Sequence, residues 1–409
     1  MFTRTITKKL KELALKYPSI AILGPRQSGK STLSKLAFPN YVYLSLEDRS
    51  VRERAALDPK GFIEFYQNTP GIILDEFQRL PELLSYIQLA IDEKYRPGHF
   101  ILTGSQNFLM NEKISQSLAG RITILTLLPL SITELKENQL VGHQLVDQSV
   151  GQLVEQTAPQ AEKTIFYGCY PRIYDQHLDP TRWYNDYIET YVEKDIKQLT
   201  TISDLDLFRK FVGLCAGRIG QTLDFTSLSD NCGISVPTVK RWLSLLQASY
   251  VLFLLQPYHN NFGKRLTKSP KLYFYDTGLA CALLGIESET QLATHYLRGG
   301  LFESFIIADI IKELYNQAER PHVYFWQETG TNEIDCIIEK ADKRYAVEIK
   351  SGQTISKNFF KTLRSWSTFA QTPTTHNFLV YTGTQTQPWP DGTVIGWLNI
   401  SDLYAILKS

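Results

Sequence analysis

A chain of 409 residues, 43% hydrophobic and 21% charged, is long enough for two or three globular domains, each with its own core. Lys plus Arg number 43 against 42 Asp plus Glu, which excludes a global field drawing the chain to nucleic acid or a membrane surface; any basic surface must be local. Five cysteines (Cys169, Cys215, Cys232, Cys281 and Cys336) stand singly without C-x-x-C spacing, which argues against a zinc site or disulfide framework and for buried thiols in a reducing compartment.

The basic stretch Met1 to Lys11 is followed by no apolar run, and nowhere do about 18 apolar residues run together, so a cytoplasmic protein without membrane contact is expected. Residues 19–32 then read as a buried strand, a glycine-bounded turn and a helix start. Gly24, Gly29, Lys30 and Ser31 fit G-x-x-x-x-G-K-[ST]. Backbone N–H groups of such a turn and the following helix N-terminus attract phosphate, so Gly24, Pro25, Arg26, Gln27, Ser28, Gly29, Lys30, Ser31 and Thr32 are the expected phosphate cradle. Lys30 would reach the β/γ-phosphates of a nucleoside triphosphate and the Ser31 hydroxyl would ligate Mg2+.

Short apolar runs recur at Ile20–Gly24, Tyr41–Leu46, Gly71–Leu74, Phe100–Thr103 and Ile122–Leu128, each with a helical pattern behind it. That alternation predicts an α/β fold with a parallel sheet covered on both faces. The third run ends in Asp75-Glu76, at the strand edge where ligands collect; Asp75 would hold Mg2+ through water and Glu76 would be general base. The fourth ends in Thr103-Gly104-Ser105-Gln106. Ser105 or Gln106 either orients water or caps a helix. Arg121 is either an arginine finger given to a neighbouring subunit, which would need a homo-oligomer, or a surface residue.

The strings at residues 24–31, 74–79, 102–106 and 128–135 (Gly-Pro-Arg-Gln-Ser-Gly-Lys-Ser, Leu-Asp-Glu-Phe-Gln-Arg, Leu-Thr-Gly-Ser-Gln, Leu-Pro-Leu-Ser-Ile-Thr-Glu-Leu) resemble, in that order, a prokaryotic family of AAA-like ATPases joined to a C-terminal domain of unknown function. The resemblance runs along nearly the whole chain. It implies an ATPase using ATP and Mg2+, with Ser105 or Gln106 where AAA-type enzymes sense the γ-phosphate.

Residues 138–163, rich in Gln, Val and Gly, are expected to be a surface connection. Tyr184, Tyr187, Ile188, Tyr191 and Ile196 fall near helical spacing and read as an aromatic core stripe. Phe225 to Cys232, a turn at Gly233-Ile234-Ser235 and Val236 to Ser249 form a helix-turn-helix candidate, with Thr238, Lys240 and Arg241 near the start of its second helix. Val251–Tyr258 and Lys271–Tyr275 would add a wing whose Lys264, Arg265, Lys268 and Lys271 attract phosphates of DNA; the alternative is that this unit only packs domains together.

Gly300 to Leu314 is an apolar-periodic helix, followed by a hairpin of Glu333–Glu339 and Arg344–Lys350. Alternation puts Glu348 and Lys350 on one face with Asp335 across from them, the equipment of metal-assisted phosphodiester cleavage. With Glu303 upstream, this array resembles the PD-(D/E)XK restriction-endonuclease-like fold, although Ile334 stands where the motif has proline. That resemblance suggests Glu303, Asp335 and Glu348 as metal ligands and Glu348 and Lys350 as catalytic; a degraded fold with paired surface charges is the alternative.

The expected order is therefore an AAA-like P-loop domain over 1–135, a connecting helical region over 136–204, a winged helix-turn-helix over 205–290 and a nuclease-like α/β domain over 291–409. The expected activity is ATP hydrolysis regulating a DNA-interacting, metal-dependent nuclease, or else an ATP-controlled DNA-binding or scaffold protein.

Overall fold

Five short apolar runs become five parallel strands in the computed structural model, which describes residues 1–105, 118–141, 161–192, 205–259, 269–328 and 332–408. β1 (Ser19–Leu23), β2 (Val42–Ser45), β3 (Ile72–Asp75), β4 (Phe100–Gly104) and β5 (Ile122–Thr126) lie in the order β2-β3-β4-β1-β5. Side chains alternate between two cores. Ile20, Ile22, Ile73 and Ile101 pack with α1 (Ile6–Ala14) and α2 (Lys30–Ala37). Ala21, Leu23, Leu74 and Leu102 pack with α3 (Arg49–Leu57), α4 (Pro59–Phe65) and α5 (Leu83–Glu93). Parallel register leaves the carboxyl ends of β1, β4 and β3 side by side, so Gly24, Ser105 and Asp75 share one edge.

The chain leaves β5 through α6 (Ile132–Glu137), which opens on a capping box of Ser131 and Glu134. Next come α7 (Ala161–Tyr167), α8 (Pro171–Asp175) and α9 (Pro180–Tyr187), the last running into a π-turn at Ile188–Val192. α10 (Leu205–Ala216), α11 (Phe225–Cys232) and α12 (Val236–Ala248) follow. Gly233, at φ 75°, lets the chain turn between α11 and α12, and the Ser235 side chain accepts the Thr238 N–H.

β6 (Leu252–Pro257) and β7 (Lys271–Phe274) form an antiparallel pair, and α13 (Thr277–Leu283), α14 (Glu289–Thr294) and α15 (Arg298–Asn316) follow. Then come β8 (Val323–Gln327), β9 (Glu333–Lys340), β10 (Lys343–Lys350), α16 (Phe360–Ala370), β11 (Asn377–Tyr381), β12 (Gln387–Trp389), β13 (Gly392–Gly396) and α17 (Ser401–Lys408). These strands join the hairpin in one sheet, β12-β13-β11-β10-β9-β8-β6-β7, through a parallel pairing of β6 with β8. Strands from both sides of residue 290 thus share a sheet, and β7 sits beside the helix that carries Glu303.

α15 is buried along most of its length from Leu301 to Leu314, its polar Ser304, Asp309 and Lys312 included, with Glu303 partly exposed. Its core is continuous with Leu128, Leu130 and Ile132, the segment leaving the first sheet. α16 covers the opposite face through Phe360, Leu363 and Trp366. All five cysteines are buried free thiols. Among the described residues no helix is long and apolar enough to cross a membrane.

Candidate functional site

β1 gives way to Gly24, where an added Cβ would stand 2.1 Å from the Leu127 carbonyl oxygen, so only glycine fits the turn. Gly29, at φ 95°, then leads into α2. The Lys30 side chain is buried and its Nζ donates to the carbonyls of Gly24 (3.0 Å) and Pro25 (2.7 Å). Ser31 Oγ donates to both carboxylate oxygens of Asp75 at 2.9 Å. Hydroxyls of Tyr43 and Thr103 also donate to Asp75. Ser31 and Asp75 thus present hard oxygen ligands side by side, a donor set that fits Mg2+.

Glu76 adopts a left-handed backbone at φ 55°, uncommon for a residue with a side chain and frequent at functional sites. Its carboxylate accepts Gln78 Nε2, which also donates to Ser105 Oγ at 3.1 Å. Burial pushes the Glu76 carboxyl up from its usual range, and the Lys30 and Arg26 charges oppose that. Lys30, Ser31, Asp75, Glu76 and Ser105 are therefore brought together, with Pro25, Arg26, Gln27, Ser28 and Thr32 along the loop. Gln106 lies outside the described residues.

A cavity of about 1140 Å³ opens in front of this edge. Its far wall comes from the helical region, through Arg172 and Tyr191. Gln27 Nε2 donates to the Tyr191 hydroxyl (3.1 Å), the Arg26 guanidinium lies 5.5 Å from the Tyr191 ring, and Arg172 Nη1 reaches Gln27 Oε1 at 3.5 Å. The sequence placed Tyr191 in a core stripe. Tyr184 and Tyr187 are buried as expected, while Tyr191, at the stripe's end, packs half-buried against that core and also lines the cavity. Ile196 is outside the described residues.

Arg4 was equally invisible, since it reads as one more cation of a basic N-terminus. It is buried, and its guanidinium donates to Ser28 O (2.7 Å), Leu128 O (2.7 Å) and Glu134 Oε1 (3.1 Å). Arg121 sits at the start of β5, the opposite edge of the sheet, and chelates Asp92 at 2.6 and 2.9 Å.

In the middle region Lys240 and Arg241 are exposed on α12, and Thr238 Oγ1 pairs with Ser235 Oγ at 2.9 Å. Lys264, Arg265 and Lys268 lie outside the described residues. Lys271 corrects the sequence reading. Expected on a phosphate-facing surface, it is only 4% exposed, because its strand is an inner wall of the second centre.

That second centre gathers side chains from four elements. Lys271 Nζ on β7 bonds Glu303 Oε1 on α15 (3.3 Å) and Glu333 on β9, and the Tyr273 hydroxyl also donates to Glu303. Asp335 on β9 accepts the Ile349 N–H at 2.7 Å, and Lys350 Nζ lies 3.9 Å from Asp335 and 2.5 Å from Glu348 Oε1. The other Glu348 oxygen, Oε2, is buried without a hydrogen-bond partner. Burial first, then the neighbouring Asp335 charge, pushes Glu348 up to about 8 and Glu303 up to about 7. Burial also raises Asp335, against the pull of Lys350 and Lys271. Glu303, Asp335, Glu348 and Lys350 thus share one charged cluster. Among the described residues, however, no three His, Cys, Asp or Glu side chains converge closely enough to hold a metal ion. Lys271 and Lys350 stand among the carboxylates instead.

Comparison with known proteins adds three matches along the chain. The AAA domain matches residues 16–136, a domain of unknown function (DUF8612) matches residues 158–290, and another (DUF4143) matches residues 298–400. Relatives described as uncharacterized proteins occur in Mycobacterium tuberculosis and Mycobacterium bovis, each 27% identical over 357 residues, covering 86% of this chain and 75% of theirs. One in Haemophilus influenzae is 22% identical over 80% of this chain and 81% of its own. Among solved structures, the Walker-type ATPase of Pyrococcus abyssi aligns with a TM-score of 0.44 at 16% identity, over 69% of this chain and 96% of that one. AMPPCP-bound DnaA from Aquifex aeolicus aligns with a TM-score of 0.27 at 16% identity, over 59% and 85%. With the AAA match over residues 16–136 lying on a five-stranded parallel sheet that carries Lys30, Ser31, Asp75 and Glu76 at one edge, the front of the chain is an AAA-like ATPase domain.

Proposed function

We propose that the chain hydrolyses ATP at the Lys30–Glu76 edge and that its nucleotide state controls a cation-dependent centre at Glu303, Asp335, Glu348 and Lys350 that cleaves DNA phosphodiesters. Backbone N–H groups of the loop and of the α2 N-terminus receive the phosphates, and Lys30 leaves the Gly24 and Pro25 carbonyls to meet them. Ser31 and Asp75 would hold Mg2+, which supplies charge neutralisation at the phosphates when bound. Glu76 accepts the proton of the attacking water, and its raised pKa suits a base working near neutrality. Gln78, bonded to both Glu76 and Ser105, fixes the position of that carboxylate. At the second centre Lys350 would stabilise charge developing on a phosphate once a divalent cation neutralises the carboxylates. Lys240 and Arg241, exposed on α12, favour DNA as the partner.

The observation that carries the coupling is α15. It holds Glu303 near its start, and further along it Asp309 accepts the Ile132 N–H (2.6 Å) while Lys312 donates to Leu130 O (3.1 Å). Leu130 and Ile132 follow directly on Leu128, whose carbonyl Arg4 ties to Ser28 of the phosphate loop. A shift of the loop thus has a short, bonded route to the second centre.

A second reading, an ATP-controlled DNA-binding or scaffold protein without cleavage, draws on the lysines already paired with the cluster. One assay separates them: ATP hydrolysis and plasmid nicking followed together, with Mg2+ or Mn2+, in each nucleotide state. The first reading expects nicking that Asp335→Asn and Lys350→Ala abolish while hydrolysis continues. Absence of nicking in every nucleotide state removes it and leaves the second.

A further inference from the structure

Four carboxylates (Glu303, Glu333, Asp335 and Glu348) and two ammonium groups (Lys271 and Lys350) form the second centre. Fully ionised, this set carries two uncompensated negative charges, the amount one divalent cation neutralises. The two lysines divide it unequally. Lys350 sits between Asp335 and Glu348 and leaves Glu348 Oε2 buried and unpartnered beside them. Lys271 instead draws Glu303 and Glu333 towards β7, and Tyr273 adds its hydroxyl to the same Glu303 oxygen. This pull explains why three carboxylates share a cluster without converging on one point. Lys271 is held firmly, since it is almost fully buried and packs 5.6 Å from the Phe325 ring.

We propose that Lys271 is an internal counter-ion of this centre, competing with a divalent cation for Glu303 and so limiting occupancy to weak binding by Asp335 and Glu348. The inference rests on the reading of Glu303, Asp335 and Glu348 as a cation site. It assigns to the strand before residue 290 the control of chemistry on the strands after it. Displacing an ammonium held by two carboxylates in a low-dielectric setting opposes cation entry, and losing that charge makes entry easier.

The test is Mn2+ binding to the nucleotide-free full-length protein, by calorimetry and by the loss of the free-Mn2+ paramagnetic resonance signal. Asp335→Asn reports how much Mn2+ binds elsewhere, at Ser31 and Asp75 included. Lys271→Met, which keeps the stem and removes the charge, should bind Mn2+ at least roughly tenfold more tightly than the wild type. Lys271→Arg should stay at the wild-type value. Equal affinity in wild type and Lys271→Met, with binding lost in Asp335→Asn, overturns the counter-ion role and leaves the cation site standing. If Asp335→Asn removes no bound Mn2+ from either protein, the cation reading itself falls and the counter-ion role with it. Should Lys271→Met not fold, Lys271→Gln removes the charge and keeps a polar head between Glu303 and Glu333. A gain of about threefold in that variant supports the competition, and unchanged affinity refutes it.

Discussion

The two charged centres use the same residue types in opposite ways. At the front, Lys30 donates to two neutral carbonyls of its own loop, and its charge acts on Glu76 without a direct bond between them being needed to hold it there. At the back, Lys271 and Lys350 are bonded directly to carboxylates. An ammonium on neutral carbonyls transfers to an incoming phosphate at little cost, because a charge-assisted bond replaces neutral ones. An ammonium inside a buried ion pair can move only if the carboxylates it leaves are neutralised by something else. The front is therefore poised for ligand, and the back is poised for a change of charge.

The largest effect expected from this contrast is at Glu76. Glu76→Gln removes the base and leaves the phosphate cradle intact, so ATP turnover should fall by roughly 10²- to 10⁴-fold while binding of a fluorescent ATP analogue persists. In the wild type the acid limb of the turnover profile should sit above that of an ordinary glutamate, since burial raises this carboxyl and only its ionised form accepts a proton. Next is Lys30→Ala. Losing a charge-assisted phosphate contact should weaken nucleotide binding by roughly 10- to 150-fold, measured by equilibrium titration. Unaltered binding would break the contrast at its front half.

Sequence alone reached the front centre almost completely, and the physical reason is locality. Gly24 to Ser31 is one continuous turn, and Asp75 and Glu76 end a strand that a parallel sheet must set near it. Tyr43 and Thr103 complete the Asp75 environment from the two neighbouring strands, but a lone hydroxyl carries no signature. Tyr191 and Arg4 were missed because their partners lie more than a hundred residues away or on backbone atoms, where no spacing rule applies. At the back, the β9–β10 hairpin brought Asp335, Glu348 and Lys350 together by simple alternation. Lys271 was misread because β6 and β7 were taken as a free wing, whereas β6 pairs with β8 and makes β7 an edge of the larger sheet.

A smaller effect follows from the carboxylates at the back. Glu303 at about 7 and Glu348 at about 8 stand above the ordinary glutamate value, so the folded chain holds protons that the unfolded chain releases. The stability these groups contribute is complete at a pH below the unfolded value and is lost as pH rises through 7 and 8. Melting temperature should therefore fall by roughly a few degrees between pH 5.5 and 8.5, and millimolar Mn2+ should recover it at the upper end by taking the place of the protons. A flat profile unresponsive to Mn2+ would erase the distinction between the two centres.

The mildest expected change tests whether the helical region belongs to the front centre at all. Tyr191→Phe deletes the hydroxyl that accepts Gln27 Nε2 at 3.1 Å and keeps the ring beside the Arg26 guanidinium. A neutral hydrogen bond contributes about 0.5–1.5 kcal/mol, so KM for ATP should rise by roughly 2- to 12-fold. Turnover should hold, because Glu76, Ser31 and Asp75 are untouched. Tyr191→Ala, losing the ring as well, should go further in the same direction. A wall that only packs would leave KM alone in both variants. A graded rise would instead make residues 171–191 part of nucleotide recognition, so that ATP is gripped between the parallel sheet and the same helical region that leads into the strand bearing Lys271.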